Sequence, residues 1–153
     1  MQDQLPKKER FYILMLPEEE VLKKVKHWIS FADEDLSYAR LGLSLKKKAP
    51  CRLIAFHAQQ AVEKYLKSYL IFRLIEFPYT HNISTLIKCI TENEKLVNLL
   101  KDAENLTFYA VSSRYPDEDI EISFDEAVNA VFIATNVMEV IKRALNDLGL
   151  SSL

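Results

Sequence analysis

Apolar positions recur along this chain at spacings of three and four, the period of helices with one buried face. Pro17 followed by Glu18, Glu19 and Glu20 reads as a helix start, because proline suits the first turn and acids complement the dipole there. Val21, Val25, Trp28, Ala32, Leu36, Ala39 and Leu43 then form a stripe, and Lys46, Lys47 and Lys48 mark its carbonyl end. Pro50 opens a second helix that runs to about Leu74. The run from Pro78 to Asn82 breaks the pattern, and Thr80 or Asn82 caps a short helix reaching about Ile90. Thr91 with Glu94 fits a capping box before a stripe of Leu96, Leu99, Leu100, Ala103, Leu106 and Ala110. Arg114-Tyr115-Pro116 closes that helix, since proline disfavours helical geometry in the residue before it. Ser123 with Glu126 repeats the box, and Ala127, Ala130, Ala134, Val137, Ile141 and Leu148 lead to a stop at Gly149.

No alternating strand pattern occurs. The spacing predicts an all-α, up-and-down four-helix bundle with one additional short helix. Its parts are an N-terminal arm at 1–17, the bundle at 18–149 and a tail at 150–153.

Composition narrows the chemistry. A chain of 153 residues, 49% hydrophobic and 27% charged, can bury one core without staples. Gly42 and Gly149 are its only glycines, which excludes Gly-rich phosphate loops. A net charge of −2 gives no global attraction to nucleic acid, so any such binding must be local. Cys51 and Cys89 form neither a disulfide framework nor a zinc pattern, and are expected as buried thiols. His27, His57 and His81 share no ligand spacing, so no metal or other cofactor is expected. The apolar run Phe11–Leu16 is too short for a membrane span and lacks a cleavage site, which points to a cytoplasmic protein.

The second helix carries the most informative segment, Phe56 to Lys67. At 100° per residue, His57, Gln59, Gln60, Glu63, Lys64 and Lys67 share an arc of roughly 160°. Phe56, Leu53 and Ile71 sit among them, as in a polar face pressed against something. Lys64 and Lys67 could hold a phosphate while the amides read a base or ribose. The plainer alternative makes Glu63–Lys67 a surface ion pair. His81, beside Thr80 and Asn82, suits a phosphate contact, acid–base work or a structural role at the following helix. Arg114 next to Tyr115 could clamp a phosphate or stack on a base, or pair with Asp117, Glu118 or Asp119. Arg52 and His57 stand five steps apart on one helix, about 140° around it, and cannot converge on one phosphate within a monomer; only a dimer could bring Arg52 near another chain's His57.

Three segments together resemble the HEPN domain (the higher eukaryotes and prokaryotes nucleotide-binding domain). They are Phe56-His57-Ala58-Gln59-Gln60-Ala61-Val62-Glu63-Lys64-Tyr65-Leu66-Lys67, Thr80-His81-Asn82 and Arg114-Tyr115-Pro116-Asp117. The resemblance covers roughly residues 20–148. It implies a helical bundle, a homodimer, and a prokaryotic gene beside a minimal nucleotidyltransferase in a toxin–antitoxin or defence-type system. It also implies binding of nucleotide or RNA, with Gln60, Glu63, Lys64, Lys67, His81, Arg114 and Tyr115 lining the site.

Some members of the family are metal-independent ribonucleases carrying Arg, four to six residues, then His. Here no histidine follows Arg114, so the resemblance implies a binding module without that motif. Two alternatives stand beside it. One is a metal-independent ribonuclease using His81 or His57 with Arg114. The other is a structural dimerisation or interaction protein.

Overall fold

Helix α1 (Glu18–Ser44) begins where Pro17 lends its carbonyl to the amides of Glu20 and Val21. The structure, a computed structural model, describes residues 15–112 and 120–151. Most of the expected arm, and Arg114 and Tyr115 with it, lie outside the described residues. The buried line of α1 passes through Val21, Val25, Ile29, Ala32, Leu36, Ala39 and Gly42. Trp28 and Leu43 stand half-buried at its edge, packed against the core rather than within it. The helix stops before the lysines, and Lys46–Lys48 form a 3-10 turn instead of a charged last turn.

Helix α2 (Cys51–Phe72) is central: 14 of its 22 residues are buried. A helix buried on most sides must be packed by several neighbours. Both α1 and the last helix, α6 (Phe124–Asp147), lie along it. Cross-contacts fix their directions. Asp33 of α1 accepts from the Tyr65 hydroxyl of α2 at 2.5 Å and from Lys142 Nζ of α6 at 2.8 Å. One end further along, Arg40 donates to Thr135 at 2.9 Å. Numbers rising on α1 meet numbers falling on α6, so those two helices are antiparallel. Gly42 likewise meets Ile54, which makes α1 antiparallel to α2 and leaves α2 and α6 parallel. Burial, and then Asp33, push the Tyr65 hydroxyl far above the usual tyrosine range, so it stays protonated.

Between α2 and α6 the chain makes the short helix α3 (Ile83–Lys88) and a segmented fourth arm. Asn82 caps α3 by accepting from the Thr85 amide at 3.0 Å. The arm comprises α4 (Glu94–Leu100), a 3-10 stretch (Lys101–Leu106) and α5 (Thr107–Ser112) in unbroken succession. Its buried residues Leu100, Ala103 and Leu106 recur every third position, which is the 3-10 period; Leu99 is left exposed. Asn93 caps α4 by accepting from the Leu96 amide at 2.9 Å, so the expected Thr91–Glu94 box is not used.

The second box forms as expected. Ser123 Oγ accepts from the Glu126 amide at 3.1 Å, and Glu126 Oε2 accepts from the Ser123 amide at 2.8 Å. Hydrogen bonding to the carboxylate by the Ser123 amide, and then by its side chain, holds the Glu126 carboxyl below its ordinary value. Gly149, at φ 99°, ends α6: the Leu150 amide reaches the Leu145 carbonyl at 3.0 Å. Leu145 and Leu150 are buried in consequence, whereas Leu148, expected on the stripe, is exposed.

Among the described residues the fold is all-helical, with four arms and one short helix, and no strand occurs. The cysteines are half-buried rather than buried, each donating to a backbone carbonyl, of Ala49 and of Thr85. No described helix is long and apolar enough to cross a membrane.

Candidate nucleotide-binding seam

The polar face of α2 divides into two rows with different neighbours. The first row, Gln59, Glu63 and Lys67, is buried, and the loop before α3 closes over it. Glu63 sits at the centre. Its carboxylate accepts from Lys67 Nζ at 2.6 Å, from His81 Nδ1 at 3.0 Å and from Gln59 Nε2 at 3.2 Å. Gln59 Nε2 also reaches the His81 carbonyl at 3.2 Å, tying the loop's backbone to the helix. Gln60 donates in turn to Gln59 Oε1 at 2.7 Å.

Burial alone would raise the Glu63 carboxyl, but the charge and hydrogen bonds of Lys67 and His81 outweigh it and hold the group below its ordinary value. The pair is therefore no surface ion pair, since only 7% of the Lys67 side chain is exposed. Its ammonium lies 5.6 Å from the Trp28 ring centroid and 6.0 Å from that of Tyr79.

The second row faces α1. Asp35 accepts from His57 Nδ1 at 2.8 Å and forms an ion pair with Lys64. The His57 ring packs on Tyr38 at 4.5 Å and on Phe56 at 5.4 Å. Lys64 remains 22% exposed and His57 27%. Helix geometry places Leu53, Phe56, Gln60 and Lys64 on one strip of α2. Trp28, Asp35 and Tyr38 of α1 wall it on one side, and Tyr79 and His81 on the other.

The structure thus brings five expected site residues to one seam: Gln60, Glu63, Lys64, Lys67 and His81. Of these, Glu63 and Lys67 are interior, while Gln60, Lys64 and His81 are half-exposed. The remaining two, Arg114 and Tyr115, fall outside the described residues. Sequence reading missed Asp35, the carboxylate that organises the second row. Its signal was the edge stripe Trp28, Phe31, Asp35 and Tyr38, which interrupts aromatic residues with a single acid. Gln59, taken as one more member of the arc, is a fully buried connector. His27, for which the sequence offers no partner, meets the Phe31 ring edge-on at 4.6 Å. Among the described residues no cluster of three or more His, Cys, Asp or Glu could hold a metal ion.

The chain and its fold resemble known proteins. The chain is 30% identical over 142 residues to a protein of Methanocaldococcus jannaschii named "Putative toxin MJ1304", an alignment covering 82% of this chain and 91% of that one. The crystal structure of TT1696 from Thermus thermophilus superposes with a TM-score of 0.65 at 25% identity, over 78% of this chain and 97% of that one. ST0689, described as an archaeal HEPN homologue, superposes at 0.61 with 27% identity, over 78% and 96%. The profile of the HEPN domain matches residues 25–144, a span that takes in most of α1, the seam and nearly all of α6. A match of that extent, carried by the same helices that build the seam, makes this chain a member of the HEPN domain family.

Proposed function

We propose that the seam between α1 and α2 binds a nucleotide or single-stranded RNA, and that the protein is the HEPN component of a toxin–antitoxin or defence-type pair whose partner is a minimal nucleotidyltransferase. One observation carries the binding reading: a strip with half-exposed Gln60 and Lys64 is walled by Trp28, Tyr38 and Tyr79 and edged by two imidazoles. Aromatic rings interleaved with cationic and amide groups suit stacked bases and their phosphates without sequence readout. The toxin name of the archaeal relative supports the two-component setting.

The test is a titration of the purified protein with adenosine monophosphate and with a short single-stranded RNA. Gln60→Ala with Lys64→Ala is expected to abolish binding while the thermal melt stays within a few degrees. Lys67 is unsuitable for this purpose, because its loss strands a buried carboxylate. Wild-type affinity retained by the Gln60/Lys64 variant would overturn the reading.

A second reading, self-association, is favoured by the outer face of α1. Phe31, Tyr38 and Leu41 are exposed there, and so is Leu45 just beyond its end. Light scattering of the unliganded protein decides it: a homodimer supports this reading and a monomer removes it.

A further inference from the structure

Two carboxylates of the seam are wired alike. Asp35 holds Lys64 on Oδ2 and His57 Nδ1 on Oδ1. Glu63 holds Lys67 on Oε1 and His81 Nδ1 on Oε2. Each bond fixes its imidazole through Nδ1 and turns Nε2 away from the carboxylate. The two histidine side chains are 27% and 36% exposed, and among the described residues neither Nε2 meets a hydrogen-bond partner.

The rings stand on opposite sides of the same strip. His57 lies on the α1 side, faced by Asp35 and Tyr38 from α1 and by Lys64 and Phe56 from its own helix. His81 lies on the loop side, faced by Glu63, Lys67 and Gln59 from α2 and by Tyr79 from its own loop. Positions 57 and 63 of α2 are about 9 Å apart along the axis, so the two anchors flank Gln60 without crowding it.

Charge counting then gives the seam a direction. With both rings neutral, Asp35 and Glu63 are each matched by one ammonium, and neither unit carries surplus charge. A proton on either ring adds one positive charge at the surface, and no remaining carboxylate of the unit answers it. An anion bridging to Nε2–H would.

We propose that His57 and His81 are phosphate-contacting residues that take up protons as the seam binds, so that phosphate affinity rises as pH falls through the neutral range. This deepens the nucleotide-binding reading and rests on it. The phosphate could belong to a free nucleotide or to an RNA strand, since both present the same anionic oxygens to Nε2–H.

Calorimetric titrations at pH 6, 7 and 8, in buffers of different ionisation heat, test it. The probes are adenosine monophosphate and an unphosphorylated single-stranded RNA. The expected result is net proton uptake and an affinity gain of roughly tenfold or more from pH 8 to pH 6 for at least one probe. Response to the monophosphate assigns a terminal phosphate, and response to the RNA alone assigns strand diesters. His57→Gln and His81→Gln should each reduce the uptake, because glutamine can still donate to the carboxylate but cannot gain a proton.

Affinity that is flat with pH and free of proton uptake overturns the coupling and leaves the binding reading standing. Uptake undiminished in both variants overturns it as well. Absence of binding to either probe at every pH removes both the coupling and the reading beneath it.

Discussion

His81 Nδ1 lies 3.0 Å from Glu63 Oε2, although the two residues are 18 positions apart in sequence. That contact lets a loop histidine close over the buried face of the central helix. Gln59 reinforces it through the His81 carbonyl, so side chain and backbone of the loop are held together. The polar row of α2 therefore does structural work at its buried end. Its half-exposed members are His57, Gln60 and Lys64.

The same contact sets a pH dependence. The Glu63 carboxyl is held below its ordinary value in the folded chain, against the opposing effect of burial. A depressed carboxyl contributes stability above its unfolded value, and that contribution is lost as pH falls through the folded one. Urea midpoints should thus be insensitive to this group near neutrality and fall below about pH 4. Glu63→Gln should flatten that acid limb while lowering stability at pH 7. An acid limb of unchanged slope in Glu63→Gln would show that other carboxylates govern it.

Lys67 and Lys64 look equivalent in sequence and should differ sharply when truncated. Lys67→Ala leaves the Glu63 charge buried with no ammonium to match it and only hydrogen bonds from His81 and Gln59, a change that costs about 3–5 kcal/mol when a buried pair is broken. Lys64→Ala removes a partner that is 22% exposed and leaves Asp35, itself 13% exposed, bonded to His57, a smaller loss of about 1–2 kcal/mol. Chemical denaturation of the two single variants compares them directly. Equal losses would mean that the burial of Lys67 carries no energetic weight.

Sequence patterning made most of the fold legible because helical period, capping residues and prolines are local signals. The Ser123–Glu126 box and the Gly149 stop needed only neighbouring residues to be recognised. The seam was legible in part. Gln60, Glu63, Lys64 and Lys67 share an arc by spacing, and His81 follows in a turn. Nothing local reveals that Glu63 is buried and Lys64 is not, since that depends on where Trp28 and Tyr79 come to lie. Asp35 stayed hidden for the same reason: an acid on an amphipathic helix reads as solvated until a histidine from another helix meets it. The 3-10 stretch in the fourth arm was masked because spacings of three satisfy an α-helical stripe as well.

Gly42 of α1 packs directly against Ile54 of α2. A Cβ added there would stand 2.6 Å from Ile54 Cγ1 and 3.0 Å from its Cδ1, and Ile54 is fully buried. Alanine favours helix over glycine by about 1 kcal/mol, but overpacking a fixed core costs roughly 1–3 kcal/mol. Because the nearer clash is with Cγ1, close to the Ile54 backbone, rotation of the side-chain end cannot relieve it. Gly42→Ala should therefore destabilise despite its better helix propensity, with a lower melting temperature in calorimetry. A raised melting temperature would show that the helices separate at little cost.

Leu74 offers the opposite case. It follows α2 in a left-handed conformation at φ 55°, and the Ile75 amide reaches back to the Leu70 carbonyl at 2.9 Å while the Leu74 amide reaches Ile71 at 3.0 Å. This is the bonding pattern that Gly149 completes after α6, but here a branched side chain occupies the position that favours glycine. Holding an L-residue there costs roughly 1–2 kcal/mol, and Leu74 is largely exposed, so its side chain recovers little by packing. Glycine adds freedom to the unfolded chain, which offsets part of the relief. Leu74→Gly should still stabilise, by about 0.5–1 kcal/mol, read as a higher urea midpoint at unchanged slope. A lower midpoint would mean that the Leu74 side chain contributes more through its contacts than its backbone loses through strain.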